Sequence, residues 1–148
     1  MSSIKTISEA GKFKTLKTVS NPYMFEVNGV TIIGTSGQNI EDIMKNSNIS
    51  DPLEALECLV HWSHLAPTCP DTLGCFPFEG KDPFVLETLP HVLFVGNQAK
   101  FAQKKLKLDD KKEVLLVTLP KFSNSSTVIL LNLKSLDCQS LVFSCFSK

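Results

Sequence analysis

The sequence lacks a charge excess of either sign, since its 148 residues carry 15 basic and 15 acidic side chains that cancel. A dedicated nucleic-acid binder usually concentrates a basic surplus on one face, so that class is not suggested. Long apolar runs are missing as well. None approaches the roughly 20 residues that span a bilayer, and Met1-Ser2-Ser3-Ile4-Lys5-Thr6-Ile7 lacks the continuous apolar stretch of a secretory signal. We therefore expect a soluble, intracellular chain. The five cysteines, Cys58, Cys69, Cys75, Cys138 and Cys145, are odd in number and show no C-x-x-C spacing. That pattern points to reduced, mostly buried thiols rather than zinc ligands. What remains is 43% hydrophobic content over the length of one ordinary domain, or part of one.

Residues 1–14 read as a poorly specified lead-in, and the organised chain begins near Thr15. Residues 15–19 and 23–27 resemble short strands. Asn28-Gly29 before Val30-Thr31-Ile32-Ile33 is the strongest local signal, because this dipeptide favours positive φ at both central positions of a type I′ hairpin turn. A loop over 34–39 leads to a short helical stretch at 40–45. A second helix starts at Asp51 as cap, with Pro52 in the first helical position and Glu54 completing a D-x-x-E capping pattern. It should run over 52–64, burying Leu53, Leu56, Leu59, Val60 and Ser63, until Pro67 stops it. Five prolines between Pro67 and Pro90, with Phe76, Phe78 and Phe84 among them, predict a structured loop with aromatic anchors. Apolar runs at 91–95, 113–119, 127–133 and 141–146 read as strands, most of them buried on both faces because they do not alternate with polar residues. The fold class is α/β, rich in sheet.

Candidate chemistry is sparse. Residues 29–36 approach the phosphate-binding pattern G-x-x-x-x-G-K-[ST], but Thr35 stands where a lysine must reach the phosphates, and the intervening residues form a strand. His61 and His64 share a helix face and could bind a metal with help from Glu57 or Asp71, yet no H-E-x-x-H pattern organises them. Histidines near a helix C-terminus also serve its dipole and last carbonyls. No G-x-S-x-G turn supports nucleophilic catalysis. Lys100, Lys104, Lys105, Lys107, Lys111 and Lys112 are interrupted by Asp109, Asp110 and Glu113, which favours a solvated connection between strands over a DNA contact.

Several segments are shared with a known family. They are Asn21-Pro22-Tyr23, Gly34-Thr35-Ser36-Gly37-Gln38-Asn39, Pro70-Asp71-Thr72-Leu73-Gly74-Cys75-Phe76-Pro77-Phe78, Asp82-Pro83-Phe84, Pro90-His91-Val92 with Gly96-Asn97, and Leu115-Leu116-Val117-Thr118. In this order and spacing the chain resembles the C-terminal third of the DNA polymerase delta small-subunit family. The resemblance implies the C-terminal portion of an inactive calcineurin-like metallophosphoesterase sandwich over residues 15–148, without the oligonucleotide-binding barrel and the first half of the sandwich. It also implies that Gly96-Asn97-Gln98-Ala99 replaces the Gly-His-x-His of active enzymes, removing two metal-binding imidazoles.

By that resemblance the chain is expected to be a non-enzymatic, nuclear accessory subunit without a cofactor. It would bind the catalytic subunit's C-terminal region and a third subunit, meet DNA only through the complex, and need neither membrane nor small-molecule substrate. Phe76, Phe78 and Phe84 are the candidate partner-binding residues, because large apolar anchors dominate interfaces, although buried aromatics can equally plug their own core. The rival expectation is a metal-dependent phosphoesterase using His61, His64 and Asp71. Lacking the preceding segments, the isolated chain should be marginal or prone to aggregate, since unpartnered sheet exposes apolar area and open edges.

Overall fold

The computed structural model describes residues 14–109 and 112–144. Strands β1 (Tyr23–Val27) and β2 (Val30–Thr35) form the expected antiparallel hairpin. Asn28 and Gly29 turn it with φ of 51° and 78°, the pair of left-handed residues that Asn-Gly supplies. Two helices follow, α1 (Gln38–Asn46) and α2 (Pro52–Trp62). Asp51 caps α2 by accepting the Leu53 N–H at 3.2 Å.

The end of α2 differs from the sequence expectation. It closes at Trp62, ahead of Pro67, because Ser63 takes a left-handed φ of 53°. The Ser63 N–H then donates to the Val60 carbonyl and the His64 N–H to that of Leu59, both at 3.1 Å, so the last carbonyls are satisfied without another turn. Ser63 is exposed rather than part of the buried stripe, and Ala55 joins Leu56, Leu59 and Val60 inside.

A long loop leads to β3 (Val92–Gln98), then β4 (Ala102–Lys107) and β5 (Glu113–Pro120). The sheet order is β1-β2-β3-β5-β4, with β2, β3 and β5 mutually parallel at the centre and antiparallel strands at both edges. A single turn, α3 (Phe122–Ser125), precedes a separate hairpin of β6 (Thr127–Asn132) and β7 (Asp137–Val142). The molecule is thus α/β, with a mixed sheet, helices on one face and the hairpin on the other.

Period-two alternation sorts the central strands between these layers. Ile33, Leu93, Val95, Val114 and Leu116 face α1 and α2, where they meet Ile40, Leu56 and Leu59. Ile32, Val92, Leu115 and Val117 face the hairpin and pack with Cys138, Ile129 and Leu131. Both faces are covered, so β3 and β5 are continuously apolar. The expectation fails for β6, whose outer face meets solvent and leaves Leu130 exposed.

Three further expectations are corrected. Residues 15–19 form no strand; the stretch is exposed and enters none of the ladders among the described residues. The last strand spans Asp137–Val142 instead of 141–146, because Asn132 Oδ1 receives the Lys134 and Ser135 N–H groups and fixes a tight turn before it. Cys145 and Phe146 lie outside the described residues. Finally, part of the lysine-rich stretch is a strand. In β4, Lys104 bonds Glu57 on α2, while Lys105 reaches the opposite layer, 3.0 Å from Asp137. Gln103 on that same side exchanges two hydrogen bonds with the Cys138 backbone, at 2.9 and 3.2 Å. Such lysines also guard an open edge against pairing with another chain.

Candidate interaction site

The carboxyl ends of β2 and β3 come together with the N-terminus of α1, the place where open α/β sheets usually bind ligands. Gly37 makes the approach possible. Its φ is 109°, and a Cβ there would lie 2.4 Å from the Gly96 carbonyl oxygen. Across this junction Asn97, itself left-handed at φ 57°, donates its amide to the Ser36 carbonyl at 2.8 Å.

The surrounding groups are amides and hydroxyls. Thr35 Oγ1 donates to Asn39 Oδ1 at 2.9 Å, and Asn39 passes its own amide hydrogen to the Leu65 carbonyl at 2.7 Å. Asn21 accepts the Ser36 N–H at 3.0 Å and donates to Gln38 Oε1 at 3.2 Å. Ser36 Oγ also bonds Gln38. This neutral network ties three chain segments together and offers none of the imidazole or carboxylate ligands a two-metal centre requires.

The histidines are elsewhere. His91 lies at the opposite end of the sheet, where its Nδ1 accepts the Thr31 N–H at 3.0 Å. His64 accepts the Ala66 N–H on Nδ1 at 3.1 Å and lies 3.0 Å from Asp82 through Nε2, so both ring nitrogens are engaged. His61 is 4.0 Å from Glu57, and Asp71 is exposed. His61, His64 and Asp71 are therefore not assembled, and no three His, Cys, Asp or Glu side chains among the described residues converge to hold a metal ion.

Beside the network, loop 66–84 builds an aromatic wall. Asp82 anchors its return by accepting the Phe84 N–H at 2.8 Å, and the Leu65 N–H donates to the Phe84 carbonyl at 2.8 Å. Phe84 is half-buried and packs on the core beneath the helices, so it fulfils the plugging role. Phe78 stands edge-on to it, with ring centroids 6.2 Å apart. Phe76 and Phe78 remain 60% and 56% exposed, which core plugging does not explain. Between the wall and the network lies a groove of about 380 Å³ lined by Asn21, Gln38, Cys69, Leu73, Phe76 and Phe84. Sequence reasoning missed Asn21, Gln38 and Asn39 as a unit; the only signal was their place on either side of the Gly-Thr-Ser-Gly turn.

The Asp82 anchor predicts a pH dependence. The Phe84 N–H, and then His64, hold its carboxyl below the ordinary value of 3.8. Its contribution is therefore complete above pH 3.8 and disappears as pH falls through the lower folded value. Hydrogen exchange of the Phe84 amide, corrected for intrinsic rate, should lose protection in that acidic window. Asp82→Asn should abolish the step; an unchanged step would assign it to another group.

Comparison with known proteins identifies the lineage. The profile of the DNA polymerase alpha/epsilon B-subunit family matches residues 2–103. The chain belongs to that family. Within it, the chain is 47% identical over 135 residues to the DNA polymerase delta small subunit of Oryza sativa, a match covering 91% of this chain and 32% of that protein. It is 43% identical over 132 residues to the Arabidopsis thaliana protein of the same name, covering 89% and 30%. For DNA polymerase delta subunit 2 of Drosophila melanogaster the identity is 39% over 136 residues, covering 92% and 32%. The chain thus spans about a third of the length of these relatives. The family match begins ahead of Thr15, the expected start of the resemblance.

Proposed function

We propose that this chain acts as a non-catalytic accessory element of the DNA polymerase delta complex, in nuclear replication and repair synthesis. In this reading residues 15–148 form the later part of an inactive calcineurin-like phosphoesterase sandwich. Its surface grips the C-terminal region of the catalytic subunit and receives a third subunit. The observation that carries the reading is the amide and hydroxyl network at the carboxyl ends of β2 and β3, where Asn97 staples two loops. The names of its relatives, polymerase delta small subunits, agree with it.

Phe76 and Phe78 are proposed as the exposed anchors of a docking surface whose base is Phe84. Clustered aromatic rings on a preformed groove are what a protein hot spot requires. The test is co-purification with the catalytic subunit's C-terminal region, beside a longer chain that restores the relatives' preceding segments. Replacing both Phe76 and Phe78 by alanine should weaken binding by about 30-fold, the equivalent of one hot spot of roughly 2 kcal/mol. The melting temperature should hardly move, because both rings face solvent. Undiminished binding by the double variant would place docking elsewhere, whereas failure of both the short and the long chain to bind would remove the accessory role.

The absence of catalysis has a separate test. Calorimetric titration with Mn²⁺ should give no stoichiometric uptake. Tight binding that vanishes in His64→Ala would instead favour the metal-dependent phosphoesterase.

A further inference from the structure

The loop carrying Phe76 holds two cysteines that the docking role does not use. After Cys69 the chain winds back on itself, with the Thr72 and Leu73 N–H groups both donating to the Thr68 carbonyl, at 3.1 and 3.3 Å. This turn brings Cys75 back towards Cys69, so that the two side chains line the same pair of adjoining cavities. Both are free thiols. Cys58 on α2 and Cys138 beneath the β6–β7 hairpin lie outside these cavities.

We propose that Cys69 and Cys75 are a reversible oxidation site, closing to an intramolecular disulfide when a hydroperoxide reaches the loop and reopening with a thiol reductant. The two positions differ in a way that assigns their roles. Cys75 is exposed and meets the oxidant, whereas Cys69 is half-buried. Burial and the adjacent Cys75 push the Cys69 thiol up to about 11, so it waits in protonated form. The Cys75 sulfur attacks the peroxide as thiolate, an S–O bond forms, the O–O bond breaks, and the released alkoxide or hydroxide takes up a proton. Cys69 sulfur then attacks the Cys75 sulfenic acid. The S–S bond forms as the S–O bond breaks, and the hydroxyl leaves as water with the Cys69 proton. Two thiols are oxidised, and one hydroperoxide is reduced to an alcohol and water.

Closure would fix the Leu73 to Phe76 wall of the groove. That consequence for docking rests on the proposed role of Phe76, whereas the disulfide itself does not. The experiment treats the reduced 148-residue chain, at low micromolar concentration, with hydrogen peroxide, then blocks remaining thiols and digests it without reductant. Cleavage after Trp62 and before Asp71 places Cys58, Cys69 and Cys75 on three separate peptides, so any two stay joined only through a disulfide. The expected result is a loss of roughly 2 Da from the monomer and a linked pair of peptides that dithiothreitol separates. The link should survive Cys58→Ala and vanish in Cys69→Ala. Oxidation of Cys75 to sulfinic acid with no linked pair, pairing of Cys75 with Cys58 or Cys138, or covalent dimers alone would each overturn the proposal. Because the wild-type peptide map is decisive, the outcome does not depend on whether a variant folds. If the link forms but leaves binding to the catalytic subunit's C-terminal region unchanged, the oxidation site stands and only its effect on docking falls.

Discussion

Gly37→Ala is expected to destabilise the protein by about 3 kcal/mol, through combined backbone strain and steric overlap. A φ of 109° is strained for any residue with a Cβ, and the added methyl would sit 2.4 Å from the Gly96 carbonyl oxygen. The nearest obstruction is backbone and cannot swing away, and the Gln98 side-chain amide lies 3.0 Å off as well. The Asn97 amide is bonded across the same junction to the Ser36 carbonyl at 2.8 Å and would be pushed out of register with it. Gly74→Ala is the matched control, because a Cβ there meets nothing within 4 Å. It should shift stability by less than about 0.5 kcal/mol. Urea unfolding of both variants beside the parent reads the difference, and equal midpoints would mean that the β2 and β3 loops tolerate separation.

Leu116→Ala should cost about 3 to 4 kcal/mol, within the usual range for a large side chain removed from a close-packed core. Leu116 is 0% exposed in the middle of β5, between Leu93 on β3 and Lys104 on β4, and it faces the helical layer. This interior strand cannot collapse into the void, because ladders on both sides hold it. Leu130→Ala, on the exposed outer face of β6, should cost much less. Thermal melts of the two variants check the contrast; similar losses would imply that another surface covers β6 in solution. Leu141 and Phe143 are exposed on the same outer face.

The elements easiest to read were those whose signals are local. Asn28-Gly29 announced its hairpin because the dipeptide satisfies a requirement on φ, and Asp51-Pro52 announced α2 because cap and first-turn chemistry act within four residues. The doubly buried strands β3 and β5 were legible from their unbroken apolar runs. β4 was not, since Ala-Gln-Lys-Lys-Leu-Lys carries one large apolar residue, and its partners on α2 and on β7 are distant in sequence. The early end of α2 was missed because a left-handed serine has no distinctive sequence mark. Of the site, the aromatic wall was visible as a cluster of phenylalanines in a proline-rich loop, but which rings turn outward was not.

Order along the chain was enough to dictate the short-range features: the hairpin turn, the helix cap, the apolar strands and the motif string shared with the polymerase delta small subunits. Only the assembled fold makes Asn21, Gln38, Asn39 and Asn97 meet at the carboxyl ends of β2 and β3, turns Phe84 in while Phe76 and Phe78 stay out, and sets Cys69 and Cys75 in one groove. The reason lies in range. Turns and caps are fixed by neighbours along the chain, whereas these groupings depend on parallel strands joined by a crossover of two helices and a long loop, whose closure no single segment encodes.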